Sequence, residues 1–205
     1  MRRKLGGCTF CETSDRPAGT AAVFWRSDVA KTVLSVEARP VSRGDGDGFD
    51  LSRLSCIVTV LRTGDGTEHV LLGDGVHRVQ LEVRHGSLLE GPVRLRYDLA
   101  GFESVEPKLM TLHRFIALRR LGKFPRSLFP PERRAHRWIA ALRALDGSRA
   151  GASPREIAAA LFGADTVRND WDGASDYLRS RVRRATAAGE RLASGGHLDL
   201  LRRSR

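Results

Sequence analysis

Cysteine is scarce in this chain, long apolar runs are absent, and so are the signatures of the common enzyme classes. Three cysteines in 205 residues make an odd number with no disulfide framework, the usage of a protein kept in a reducing compartment. No run of about 18 apolar residues is available to span a bilayer. The start, Met1-Arg2-Arg3-Lys4-Leu5-Gly6-Gly7-Cys8, is basic with no apolar stretch behind it, so neither a secretory signal nor a membrane partner is expected. A cytoplasmic location follows as the expectation. There is no Gly-x-Ser-x-Gly and no phosphate loop, since Gly44-Asp-Gly-Asp-Gly48 lacks the lysine and helix that would follow one. Asp45 and Asp47 have no glutamate at the twelfth position of a calcium loop. Cys8-Thr-Phe-Cys11 has the spacing of a zinc knuckle, but no second pair completes four ligands. His77 and His85 fall in or just after a strand and read as surface or cross-strand residues, not as catalytic bases. No catalytic residue, metal or cofactor is assigned, and the chain is read as a non-enzyme.

What is present is an ordinary apolar fraction, 41%, beside 29% charged residues, enough to bury a substantial core. The net charge is +11 and is unevenly placed. Residues 1–102 hold 14 basic and 13 acidic side chains, whereas residues 103–205 hold 21 and 11. A basic, arginine-dominated half beside a neutral one is the footprint of a module that meets a polyanion, most often nucleic acid. The alternative is a surface that serves only solubility.

Residues 1–20 are polar, carry Gly6-Gly7, Pro17 and Gly19, and read as an irregular N-terminal segment. Residues 21–102 read as β-rich. Val23 to Val36 supplies two short strands split at Ser27-Asp28, and the stretch Arg43 to Gly48 reads as a flexible loop. Three apolar runs follow, Ser55–Leu61, Thr67–Leu72 and Val76–Val83, separated by Gly64-Asp65-Gly66 and Gly73-Asp74-Gly75. Both connections offer the positive φ that tight hairpins need, so an antiparallel meander is expected. In the third run His77, Val79, Leu81 and Val83 form the apolar face, and Val93–Tyr97 closes the region.

Residues 103–205 change to a helical period. Glu106–Leu121 has Pro107 at a first-turn position and Gly122 as its stop. Pro131–Leu145 carries the stripe Ala135, Trp138, Ile139, Leu142 and Leu145 and ends at Asp146-Gly147. The next helix has Ser153 as N-cap, Pro154 at its first position, Glu156 as capping-box partner and Gly163 at its end. Ser175–Ala193 carries the stripe Ala174, Leu178, Val182, Ala185, Gly189 and Leu192. The fold class expected is α+β, an N-terminal antiparallel meander followed by a helical bundle.

Within that bundle the short helix from Ser153 and the long one from Ser175 suggest a helix-turn-helix-like pair, with Ile157, Ala158 and Leu161 inward and a long connector whose Thr166-Val167 and Trp171 form an extra turn. Opposite the stripe of the long helix lie Asp176, Arg179, Ser180, Arg183, Thr186, Ala187, Glu190 and Arg191, with Arg181 and Arg184 on the flanks. Arginine makes bidentate contacts to guanine edges and to phosphates, and the major groove admits one helix. Double-stranded DNA is the expected partner, through Arg155, Ser175, Arg179, Ser180, Arg181, Arg183 and Arg184, with Arg133, Arg134, Arg137 and Lys123 as phosphate contacts. For Arg119 and Arg120, complementing a helix C-terminus is the competing role. A solvated helix face with ion pairs from Asp176 competes with the recognition-helix reading. A symmetric homo-oligomer is a further expectation, since two half-sites multiply specificity. The alternative function is a regulatory interaction module, an antiactivator that binds another regulator protein without touching DNA.

The succession Arg94-Leu-Arg-Tyr-Asp-Leu, Leu118-Arg-Arg-Leu-Gly-Lys, Leu128-Phe-Pro-Pro-Glu-Arg-Arg, Leu142-Arg-Ala-Leu-Asp-Gly, Ser153-Pro-Arg-Glu-Ile-Ala, Leu161-Phe-Gly and Ser175-Asp-Tyr-Leu-Arg-Ser-Arg-Val-Arg-Arg184 resembles the RovC-type transcription factor DNA-binding domain. The resemblance covers roughly Val70 to Leu201. It implies a bacterial transcriptional regulator with a helical DNA-binding region, of a kind found on integrative and conjugative elements and linked to type VI secretion or control of element transfer.

Overall fold

The computed structural model describes residues 8–10, 21–171 and 176–202. Two compact units are present, one reaching to Pro130 and joined by the residues from Leu200, the other spanning Pro131–Asp199. The fold is α+β, a strand-rich first half followed by helices.

In the first unit, β1 (Cys8–Phe10) pairs antiparallel with β2 (Val23–Trp25), so a strand lies inside the stretch expected to be irregular. The main sheet contains β3 (Leu34–Pro40), β4 (Ile57–Arg62), β5 (Glu68–Gly73), β6 (Arg78–His85) and β7 (Val93–Asp98) in the order β4-β5-β6-β3-β7. The meander is β4-β5-β6. Its two turns follow the sequence expectation, with Gly66 at φ +85° and Gly75 at +94°. Asp65 accepts from the Thr63 hydroxyl and the Thr67 amide, and those bonds hold its carboxyl down to about 2. Asp74 accepts from the amides of His77 and Val76 and from the His77 ring, with the same result, about 2. These side chains satisfy the backbone donors that a tight turn exposes.

The sheet departs from a simple meander at β3. It runs parallel to β6, and β7 pairs antiparallel with β3, not with β6. Leu34, Ser35 and Val36 are buried on both sides, as a central strand requires. The core on one face gathers Leu34, Val36, Val70, Leu72, Val79, Leu81 and Val83 beneath Phe115 and Leu118 of α1 (Phe102–Leu121). Phe49 meets Phe115 edge-on at 5.0 Å. Burying two full side chains of this size contributes about 3–6 kcal/mol, so α1 is held to the sheet by its own apolar face.

Two local expectations are revised by α1 and its surroundings. The helix begins at Phe102, which leaves Pro107 in its interior and not in the first turn. A proline there cannot donate to the Glu103 carbonyl, and Lys31 Nζ lies 3.4 Å from that oxygen. The loop Arg43–Gly48 is tied at several points: Arg94 pairs with Asp45 at 2.8 Å, and Arg119 donates to the carbonyls of Gly46 and Gly48.

The second face of the sheet sets buried polar groups beside an apolar cluster of Ala22, Phe24 and Leu71. Gln80 exchanges two hydrogen bonds with the Trp25 backbone, at 3.0 and 2.7 Å. Glu82 accepts from Ser27, Ser35 and Arg84. Burial alone would raise the Glu82 carboxyl, but these donors outweigh it and leave the group below its ordinary 4.5. On the core face, Glu68, opposite Val83 and almost fully buried, is met by Arg62, Ser87 and the Leu88 amide. His77, on the apolar side of its run, is half-buried with its ring 4.5 Å from that of Phe129; His85 is exposed. Among the described residues no group of three metal-ligating side chains exists, and no helix is long and apolar enough to cross a membrane.

Candidate nucleic-acid interface

The second unit is built from α2 (Ala135–Arg149), α3 (Pro154–Phe162), α4 (Ala164–Asp170) and α5 (Tyr177–Arg191), after which a π-turn at Leu192–Gly196 leads to α6 (His197–Arg202). α3 starts as its sequence dictates. Ser153 Oγ accepts from the Glu156 amide at 3.3 Å, and the Glu156 carboxylate accepts from the Ser153 amide at 2.7 Å. The Ser153 hydroxyl and amide hold the Glu156 carboxyl below its usual value. Ile157 and Ala158 point into the core, Leu161 packs at its margin, and Gly163 alone separates α3 from α4. The connector thus contains the extra helical turn expected of it, with Val167 buried and Trp171 packed on the same core.

α5 is rich in alanine and arginine, strong helix formers. Its inner stripe is Leu178, Val182 and Gly189, with Ala185 partly buried. Ala174, expected at the head of this stripe, and Ser175, expected in the interface, lie outside the described residues. α5 packs on α2 at very short range: a Cβ built on Gly189 would sit 2.3 Å from the Ala141 carbonyl oxygen and 2.8 Å from Leu145 Cβ. That approach selects the buried face of α2. Ala141, Ala144 and Leu145 are inside, whereas Ile139 and Leu142, expected inside, are 56% and 42% exposed. α2 also continues past its expected stop, through Gly147, whose missing side chain leaves room for Ile157.

The outer face of α5 carries Arg179, Ser180, Arg183 and Arg184, and the arginines there are unequal. Arg179 donates to the Trp171 carbonyl at 3.0 Å, lies 3.5 Å from Asp176 and sits over the Trp171 ring at 5.8 Å. Arg181 lies on the Phe162 ring at 4.0 Å and near that of Tyr177 at 5.4 Å. Arg184 donates to Ser180 Oγ at 3.1 Å. Arg183 is exposed and has no side-chain hydrogen bond or ion pair among the described residues. Arg191, not among the expected contacts, is exposed two turns further along and extends the basic face. Its signal in the sequence was its place opposite the apolar stripe of the helix.

The remaining expected contacts are dispersed. Arg155 is exposed in the first turn of α3. Arg133 and Arg134 precede α2, Arg134 as its N-cap with its amide bonded to Glu132, and Arg137 is exposed in the first turn of α2. Lys123 is exposed just after α1, in the other unit.

A unit of four short helices presenting an arginine-bearing helix has the elements of a DNA-binding module. Residues 103–202 match the RovC DNA-binding domain. The family is described as a type VI secretion system transcription factor, DNA-binding domain. The RovC match starts one residue inside α1 and ends with α6, so the helical part of the sequence resemblance is confirmed while Val70–Phe102 falls outside it. No curated protein matches the chain. A transcription-factor role in binding DNA is supported for the RovC-like segment, and α3, α4 and α5 all lie within it.

Proposed function

We propose that this protein is a bacterial transcriptional regulator of a mobile element or secretion locus, and that α5 reads double-stranded DNA in the major groove. In this reading α3 is the positioning helix of a helix-turn-helix variant whose connector contains α4. Arg133, Arg134, Arg137 and Arg155 contribute phosphate contacts, which fix register without reading sequence. The observation that carries the proposal is the arginine face of α5, set opposite a fully packed stripe of Leu178, Val182 and Gly189 in a segment that matches a DNA-binding domain. A helix anchored in this way offers its outer side chains to a groove about 12 Å wide without unfolding its own core.

The test is fluorescence anisotropy of the full chain with its own upstream DNA and with a scrambled duplex, at two salt concentrations. The expected result is preference for its own DNA and affinity that falls steeply with salt, with a slope of about 0.9 per phosphate engaged. Arg183→Glu combined with Arg184→Glu abolishes binding while the circular dichroism spectrum is unchanged. Unaltered binding by that variant removes α5 from the groove. Failure of the wild type to bind either duplex at moderate salt removes the DNA reading and favours a protein partner for the basic face.

A further inference from the structure

We infer that Arg183 is the base-reading arginine of α5, specific for guanine, and that Arg179 and Arg181 are not readers. The inference rests on the proposal that α5 enters the major groove and adds which side chain discriminates sequence there. The five arginines of α5 are indistinguishable by residue type, but their surroundings separate them. A reader must leave its own protein and reach the N7 and O6 acceptors of guanine with both arms of its fork. Arg179 would have to abandon the Trp171 carbonyl and Asp176 to do so. Arg181 would have to leave the faces of Phe162 and Tyr177, contacts that join the end of α3 to the first turns of α5. Its direction is also wrong, because it leans back toward α3 and not away from the bundle.

Arg183 satisfies both requirements. It lies five residues beyond Leu178, about 140° around the helix from that side chain and about 100° from Val182, at 100° per residue. Its side chain is exposed, and the described residues offer it no competing acceptor. One turn further on, four residues away, stands Ala187, whose methyl group leaves the helix backbone free to approach the base edges. Arg184 and Arg191 lie on the opposite side of the same outer face, about 120° and 140° from Leu178 in the other sense; Arg184 is drawn toward Ser180, and Arg191 stands in the last turn, whereas a recognition helix meets base edges with its N-terminal residues. Among the described residues Arg183 is thus the one arginine of α5 ahead of its last turn that no other side chain or carbonyl engages.

A charge-conserving variant separates a reader from a phosphate contact, since lysine keeps the charge and loses the fork. The full chain and its Arg183→Lys and Arg191→Lys variants are each taken through selection from a pool of duplexes with a randomised centre, and the salt dependence of binding to the unselected pool is measured in parallel. The expected result is a wild-type motif with one strongly required guanine, at which Arg183→Lys loses discrimination about tenfold or more. The salt slope is unchanged in that variant, and Arg191→Lys returns the wild-type motif. An Arg183→Lys motif identical to the wild type overturns the assignment while leaving α5 in the groove. A wild type that binds every duplex equally overturns it as well. A wild type that binds no duplex instead defeats the underlying DNA reading, a result distinct from both.

Discussion

Replacing Gly189 by alanine sets two well-defined effects against each other. Alanine in a helix interior is favoured over glycine by about 1 kcal/mol, so an exposed site would gain that much. At Gly189 the new Cβ would lie 2.3 Å from the Ala141 carbonyl oxygen and 3.0 Å from its carbon, where ordinary contact begins near 3.4 Å. The obstruction is backbone, which cannot swing aside like the tip of a side chain. α2 and α5 must therefore separate by about 1 Å, which loosens Ala144 and Val182 together and forfeits a quarter to a half of each affected contact. Overpacking of this kind costs about 1–3 kcal/mol. With propensity counted in the opposite direction, the expected net effect is a loss of about 1 kcal/mol, or more where the gap propagates along the interface. For a unit of this size that lowers the unfolding midpoint by about 4–8 °C. Thermal unfolding of the full chain followed by circular dichroism measures it, with Ala187→Gly on the outer face calibrating propensity alone. A Gly189→Ala protein that melts higher than the wild type would refute the close approach of α2 and α5.

Arg181→Ala removes the stacking on Phe162 and Tyr177 and is expected to destabilise the helical unit by about 0.5–2 kcal/mol, read as a lower urea midpoint. Ser153→Ala leaves the Glu156 amide without its cap and costs about 1 kcal/mol, checked by the same unfolding curve and by faster amide exchange in the first turn of α3. The Glu82 carboxyl sits below its ordinary 4.5 in the folded protein, so the stability it contributes is present above pH 4.5 and is lost as pH falls through its folded value. Glu82→Gln should flatten that part of the stability–pH curve, and an unchanged acid limb would show that Ser27, Ser35 and Arg84 do not favour the charged form.

The features legible in the sequence are those decided within a few residues. Asp65 and Asp74 announce their turns because the side chain itself caps the turn amides, and Ser153 with Glu156 announces α3 for the same reason. What escaped was decided by partners distant in sequence. Nothing in Leu34–Pro40 says that it inserts between β6 and β7, since a buried parallel strand and a buried antiparallel one share the same apolar content. The stripe through Trp138, Ile139 and Leu142 is the more apolar side of α2, but the approach of Gly189 turns the small side, Ala141 and Ala144, inward. Gly122 marks where α1 stops and not which core the helix enters; Phe115 and Leu118 enter that of the sheet. At the site, the arginines of α5 were visible as a group, and their division into held and free depends on Phe162 and Trp171, which other segments bring to them.

The insertion of β3 also fixes an order of events during synthesis. β3 leaves the ribosome before β4, β5 and β6, yet its two neighbours in the sheet are β6 and β7, so it has no partner until residue 85 has emerged and its second edge stays unpaired until residue 98. Until then β3 carries an open edge, and Val79, Leu81 and Val83 have no lid because α1 has not been translated. Unpaired edges beside uncovered apolar faces are the hazard of incomplete chains. The nascent protein consequently passes through a window, from about residue 85 to residue 121, in which it is a client for chaperones. Chains terminated inside that window are the ones that should aggregate, while those extending beyond α1 have closed both the edge and the face.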